Sequence, residues 1–194
     1  MKYPQMKKFL FFAAVCLFTA VEARSEVPDP YMEKARAVVR EFHERLRTEL
    51  MAGMKKGPVH AITVCAQIAP EIASDLSEHY GGKVARTSTR PRNPKNKPDE
   101  WESSVLKAFD QRLKAGEAPE TIEFSETVQA ADGRKEFRYM KAIVIPAGAP
   151  CLVCHGSVID RAVEERIAAI YPEDRARGYK QGDLRGAFTV RLPK

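Results

Sequence analysis

The sequence predicts an α+β domain: an antiparallel sheet flanked by helices, with a long helix at its N-terminal side. Three observations predict it. Tyr31, Ala35, Val38, Phe42, Leu46, Leu50 and Met54 recur at helical spacing, with Glu33, Arg36, Arg40, Glu44 and Arg47 between them. Residues 121–129 and 135–145 read as strands on either side of Asp132-Gly133, a tight-hairpin signal. Strand-like segments also fill much of the C-terminal half, which argues against an all-helical bundle. Hairpin pairing with helices gathered on one side is the α+β pattern.

In chain order, the first residues read as a secretory signal. Lys2, Lys7 and Lys8 precede an apolar run from Phe9 to Ala20, and Val21-Glu22-Ala23 supplies a cleavage site. A retained anchor needs about 20 apolar residues, and this run is shorter. Val15 before Cys16 does not fit lipidation. The expectation is a signal peptide over 1–23 and one mature domain over 24–194, periplasmic and without a membrane span. The formal charge of +6 belongs partly to the signal; no aromatic-interleaved basic stripe or nucleic-acid motif is present.

The long helix ends near Lys56-Gly57-Pro58. Ala61, Cys65, Ile68, Ile72 and Leu76 form a second helical face, interrupted by Pro70, so a kink or a new helix start is expected just after Cys65. Residues 83–89 read as a strand. Arg90 to Pro98 carries three prolines and reads as a loop too rigid and polar for a core. Asp99, Glu100 and Glu102 favour the start of a helix whose apolar face is Trp101, Val105, Phe109 and Leu113. In the second hairpin strand Phe137, Tyr139, Ile143 and Ile145 share one face, and Arg138, Met140, Ala142 and Val144 the other. A helix through Ile159, Val163, Ile167 and Ile170, a polar loop from Gly178 to Leu184, and a strand from Ala187 to Leu192 complete the chain.

The most specific stretch is Cys151-Leu152-Val153-Cys154-His155-Gly156. This C-x-x-C-H spacing is the attachment pattern of a c-type haem. Two sulfurs form thioethers with one macrocycle, and the adjoining histidine binds the iron. A structural zinc site needs four N/S ligands and usually a second cysteine pair. A thioredoxin-like dithiol has no use for the histidine and sits in a βαβ unit. One covalent haem c, with Cys151 and Cys154 as thioether donors and His155 as proximal ligand, is the reading that uses every residue. The chain has four cysteines; with Cys16 in the signal and two in the motif, Cys65 is left over. It faces inward beside a proline, and buried cysteine is also an ordinary small hydrophobe. Met51, Met54, Met140, His43, His60 and His79 are the other candidates for the far side of the iron. Haem propionates need cationic partners, for which Arg86, Arg90, Arg92, Arg138 and Arg185 are candidates.

Several stretches together resemble a bacterial family of exported single-haem c proteins with a PAS-like fold, the Tll-like haem domain. They are Ala61-Ile62-Thr63-Val64-Cys65 with Ala69-Pro70, Arg86-Thr87-Ser88, Arg90-Pro91-Arg92-Asn93-Pro94 with Trp101 and Glu102, Phe137-Arg138-Tyr139-Met140, the C-x-x-C-H motif, Tyr171-Pro172 with Asp174, and Gly182-Asp183-Leu184-Arg185-Gly186. They run in one order from about residue 30 to the end. The resemblance implies an antiparallel sheet carrying the haem, with His155 on one side of the iron and Cys65 on the other. Three roles follow as expectations: redox or gas sensing through an unidentified signalling or redox partner, small-scale electron transfer, and, least supported, oxidoreduction of sulfur compounds. No second catalytic group is evident, so a non-enzymatic role is expected.

Overall fold

The computed structural model describes Met1, residues 29–130 and residues 132–194. The signal-sequence reading, with Cys16, lies outside the described residues.

Helix α1 (Pro30–Lys55) begins where the Asp29 side chain accepts the Tyr31 N–H, with proline in the first turn. It buries Ala35, Val38, Val39 and Phe42. Then follow α2 (Pro58–Thr63), a π-helical turn (Val64–Ile68) and α3 (Ala69–Tyr80), which Gly81 ends in the left-handed conformation. Strand β1 (Lys83–Thr87), helix α4 (Glu100–Lys114), strands β2 (Glu123–Gln129) and β3 (Lys135–Val144), helix α5 (Leu152–His155), helix α6 (Arg161–Ile170) and strand β4 (Leu184–Pro193) complete the fold. Asp99 and Glu102 close a reciprocal capping box at the start of α4.

The strands form one antiparallel sheet in the order β1-β4-β3-β2. Alternation along β3 and β4 gives the sheet two apolar faces. Phe137, Tyr139, Phe188, Val190 and Leu192 pack under α1 and α3; Met140 and Ala187 pack under Val105, Leu106 and Phe109 of α4. The helices are therefore not gathered on one side: α4 covers the second face, because the alternate residues of β3 are also apolar. Full burial of a residue such as Phe42 is worth about 1.5–3 kcal/mol, so α1 is held by its stripe and not by local propensity. Helix α6 packs away from the sheet, on α2, through Ile62, Val163 and Ile167.

Two loop expectations need correction. The proline-rich loop sends Arg92 inward, where it is 8% exposed, because the carboxylate of Asp174 meets it there. The loop before β4 buries Tyr179, which packs with Ile145 and Ala176.

The expected break after Cys65 takes a specific form. The backbone stays right-handed helical, but the Ala69 N–H bonds to the Val64 carbonyl, five residues back. Pro70 supplies the reason, since it lacks an amide and its ring crowds the carbonyl four residues earlier. A π turn winds less per residue than an α turn, and such single turns recur at functional positions. Ile72 and Leu76 pack in the sheet cluster, with Ile68 beside them.

Candidate functional site

The C-x-x-C-H stretch is a single helical turn. Cys151 precedes α5, the His155 N–H donates to the Cys151 carbonyl (3.0 Å), and the Gly156 N–H donates to the Leu152 carbonyl (2.9 Å). One turn brings residues three and four apart to the same side, so the spacing puts both thiols beside the imidazole. Gly156 is required: a Cβ there would lie 2.6 Å from the Leu152 carbonyl oxygen. Cys151 and Leu152 pack against Ile145, Ala176 and Tyr179, and Cys154 against the α2–α6 cluster. Burial pushes the thiol pKa of each motif cysteine up.

His155 Nδ1 lies 2.8 Å from the Ala176 carbonyl oxygen. A carbonyl only accepts, so Nδ1 carries the proton and Nε2 keeps its lone pair. Burial, reinforced by Arg185 and Arg92, holds the imidazole pKa down to about 3. The ring is therefore neutral, the form in which imidazole binds a metal.

Arg92 donates through Nη2 to the carbonyls of Cys154 (2.5 Å) and Ala176 (3.2 Å), and through Nε to Asp174 Oδ1 (3.0 Å). Asp174 also accepts the Ala176 N–H (2.9 Å) and Arg177 Nε (2.9 Å). Burial favours the neutral acid, but the Arg92 fork and these N–H groups outweigh it and leave the Asp174 pKa lowered. Arg92 is thus committed to the protein's own acceptors.

Arg86, Arg90 and Arg185 are different. Among the described residues none makes a salt bridge. Arg90 stacks over the Tyr179 ring with its guanidinium carbon 3.7 Å from the centroid, and Arg185 lies 5.3 Å from the same centroid. Arg185 Nη1 donates to Ser88 Oγ, while its buried Nε has no hydrogen-bond partner among the described residues. Burial lowers the pKa of both Arg86 and Arg185. Half-buried cations without carboxylates fit an anionic group.

Arg138 belongs elsewhere. It lies on the α4 side of the sheet, paired with Asp99 (2.7 Å) and Glu102 (3.4 Å) and stacked on Trp101. Its charge is already neutralised, and it is not brought together with the motif.

Cys65 is half-buried, and its chain neighbour Ala66 packs against the same α2–α6 cluster as Cys154. The π turn therefore shares that cluster with the motif. Among the described residues no three His, Cys, Asp or Glu side chains come close enough to cage one metal ion. Met140 is buried under α4, while Met51, His43, His60 and His79 are exposed. The Ala176 carbonyl carried no sequence signal for a role, and Tyr171 and Asp174 were visible only through the family pattern. An aromatic within an otherwise polar loop was the available hint for Tyr179.

A helix-flanked antiparallel sheet with a C-x-x-C-H turn, a pinned neutral histidine and unpaired arginines defines the class of protein. The chain belongs to the Tll0287-like family, whose model matches residues 20–193. Its fold is similar to the crystal structure of the cyanobacterial heme-protein Tll0287, with a TM-score of 0.63 and 23% identity, covering 86% of this chain and 98% of that one. No curated protein matches the chain.

Proposed function

We propose that this chain is an exported mono-haem c-type protein that works in redox or gas sensing. The single observation that carries the haem reading is the C-x-x-C-H turn with His155 Nδ1 committed to Ala176, which leaves Nε2 as the ligating nitrogen. The family match and the heme-protein of similar fold support it. Cys151 and Cys154 are the thioether donors, His155 the proximal ligand and Cys65 the ligand opposite. The orphaned Nε of Arg185 and the unpaired Arg86 and Arg90 fit two propionates. Bound haem supplies a one-electron iron couple.

The residues set how that couple behaves. A Cys65 thiolate donates electron density and favours the ferric state, so the potential is low. Held by Cys65, ferrous iron would keep that anionic ligand less tightly than ferric iron would, which is the property a sensor would use. The chain acts without an enzymatic site of its own and reports to a partner protein in the periplasm.

A second reading, electron carriage, is favoured by exposed apolar residues around the motif: Val153 is 38% exposed and Val158 90%. Expression with a haem c maturation system, followed by a haemochrome spectrum and intact mass, tests attachment. One covalent haem is expected, and a protein recovered without it would overturn the reading. Redox titration with and without carbon monoxide separates the roles. A potential that moves with the ligand supports sensing; one that does not supports electron carriage.

A further inference from the structure

In the loop Arg90-Pro91-Arg92-Asn93-Pro94, propionate binding accounts for Arg90 but not for Arg92, which is committed to Asp174 and to the Cys154 and Ala176 carbonyls. The loop is docked as a unit. The Arg175 N–H donates to the Pro91 carbonyl (3.1 Å), the Ser88 N–H to the Asn96 carbonyl (3.1 Å), and Asn93 accepts the Lys95 N–H (3.0 Å). This places one guanidinium between two chain segments, the motif turn and residues 174–176. Helix α5 has only four residues and no side-chain cap, so it cannot by itself fix the angle of His155. Histidine ligands elsewhere are oriented by what their second nitrogen bonds.

We propose that Arg92, held by Asp174, is the positioning residue of the His155 imidazole. It grips the Cys154 carbonyl on one side of the histidine and, on the other, the Ala176 carbonyl that takes the Nδ1 proton. The inference rests on the haem reading above. The guanidinium is suited to the task because it is planar and presents several N–H groups in a fixed fork; an ammonium has the charge without the fork. Asp174 completes the device. One of its oxygens takes Arg92 Nε and the Ala176 N–H together, so the carbonyl of Ala176 and the guanidinium are set by the same carboxylate. Arg92 also draws electron density from the Ala176 carbonyl, which moderates the imidazolate character of His155.

The test uses the haem-loaded full protein and its R92K, D174N and H155A variants, read by low-temperature EPR and by redox titration. R92K keeps the charge and loses the bridging geometry. The expected result is one low-spin signal in the wild type, and split or broadened signals with a shifted midpoint in both R92K and D174N. A structural role alone would lower stability without moving either readout in the protein that remains folded. Should R92K not fold, D174N carries the test, with exchange of the His155 Nδ1 proton in the reduced protein measured by NMR as a second readout. Faster exchange is expected. Wild-type spectra, potentials and exchange in the folded variants would overturn the proposal while leaving the haem reading intact. A wild-type spectrum in H155A would instead overturn the haem reading beneath it.

Discussion

His155 gives its Nδ1 proton to the main-chain carbonyl of Ala176, 2.8 Å away and on a different segment. The two lie 21 positions apart in the chain, so the imidazole is oriented by tertiary structure and not by the motif turn alone.

The first prediction concerns attachment. C151S and C154S each remove one thioether, and the double variant removes both. The double variant is expected to lose haem on acid–acetone extraction, whereas each single variant retains it. Haemochrome spectra check this, because each lost thioether moves the band toward that of free protoporphyrin haem.

G156A should fold poorly and carry little haem. The added methyl group meets the Leu152 carbonyl oxygen at 2.6 Å. Relieving that contact breaks the turn that places His155, at a cost of about 2 kcal/mol. Thermal melts of the apoprotein and the fraction of haem-loaded chains by intact mass measure the two effects.

Asp174 should give the fold an acid limb. Its folded pKa is lowered from the ordinary 3.8, so the unfolded chain takes up the proton first as pH falls. The carboxylate's contribution is full above the unfolded value and is lost as pH falls through the folded one. Apoprotein unfolded by urea across pH 5 to 2 should lose less stability in D174N than in the wild type. At neutral pH D174N should be weaker by about 3 kcal/mol, because it leaves Arg92 buried without its counter-charge.

Arg185 and Arg138 should separate cleanly. R138M leaves Asp99 and Glu102 facing each other beside Arg191 and is expected to cost about 3 kcal/mol with the haem spectrum unchanged. R185M removes a cation whose Nε has no partner among the described residues, so the apoprotein should be little affected. The midpoint potential of the haem-loaded form should fall, since loss of a nearby positive charge favours ferric iron. Spectroelectrochemistry of the two variants reads the difference.

The architecture was legible because periodicity carries it. The stripe from Tyr31 to Met54 and the alternation around Asp132-Gly133 each specify one element, and the structure has both. The second covered face was written in Met140 and Ala142, yet those residues share their face with Arg138, and one charge there masked it. The burial of Arg92 was masked for a related reason. A cation between prolines looks solvated until Asp174, 82 residues on, supplies its partner. The π turn was half legible: Pro70 announced a break, but the five-residue bond from the Ala69 N–H to the Val64 carbonyl leaves no mark in sequence. The Ala176 carbonyl was invisible, because a backbone acceptor leaves no mark in sequence.

The measurement that tests the central claim most directly is the low-temperature EPR spectrum of the oxidised, haem-loaded protein beside that of its C65S variant. The account predicts a low-spin thiolate signature with small g-anisotropy in the wild type, lost in C65S. A His/Met or bis-histidine signature in the wild type, unchanged by C65S, would contradict it.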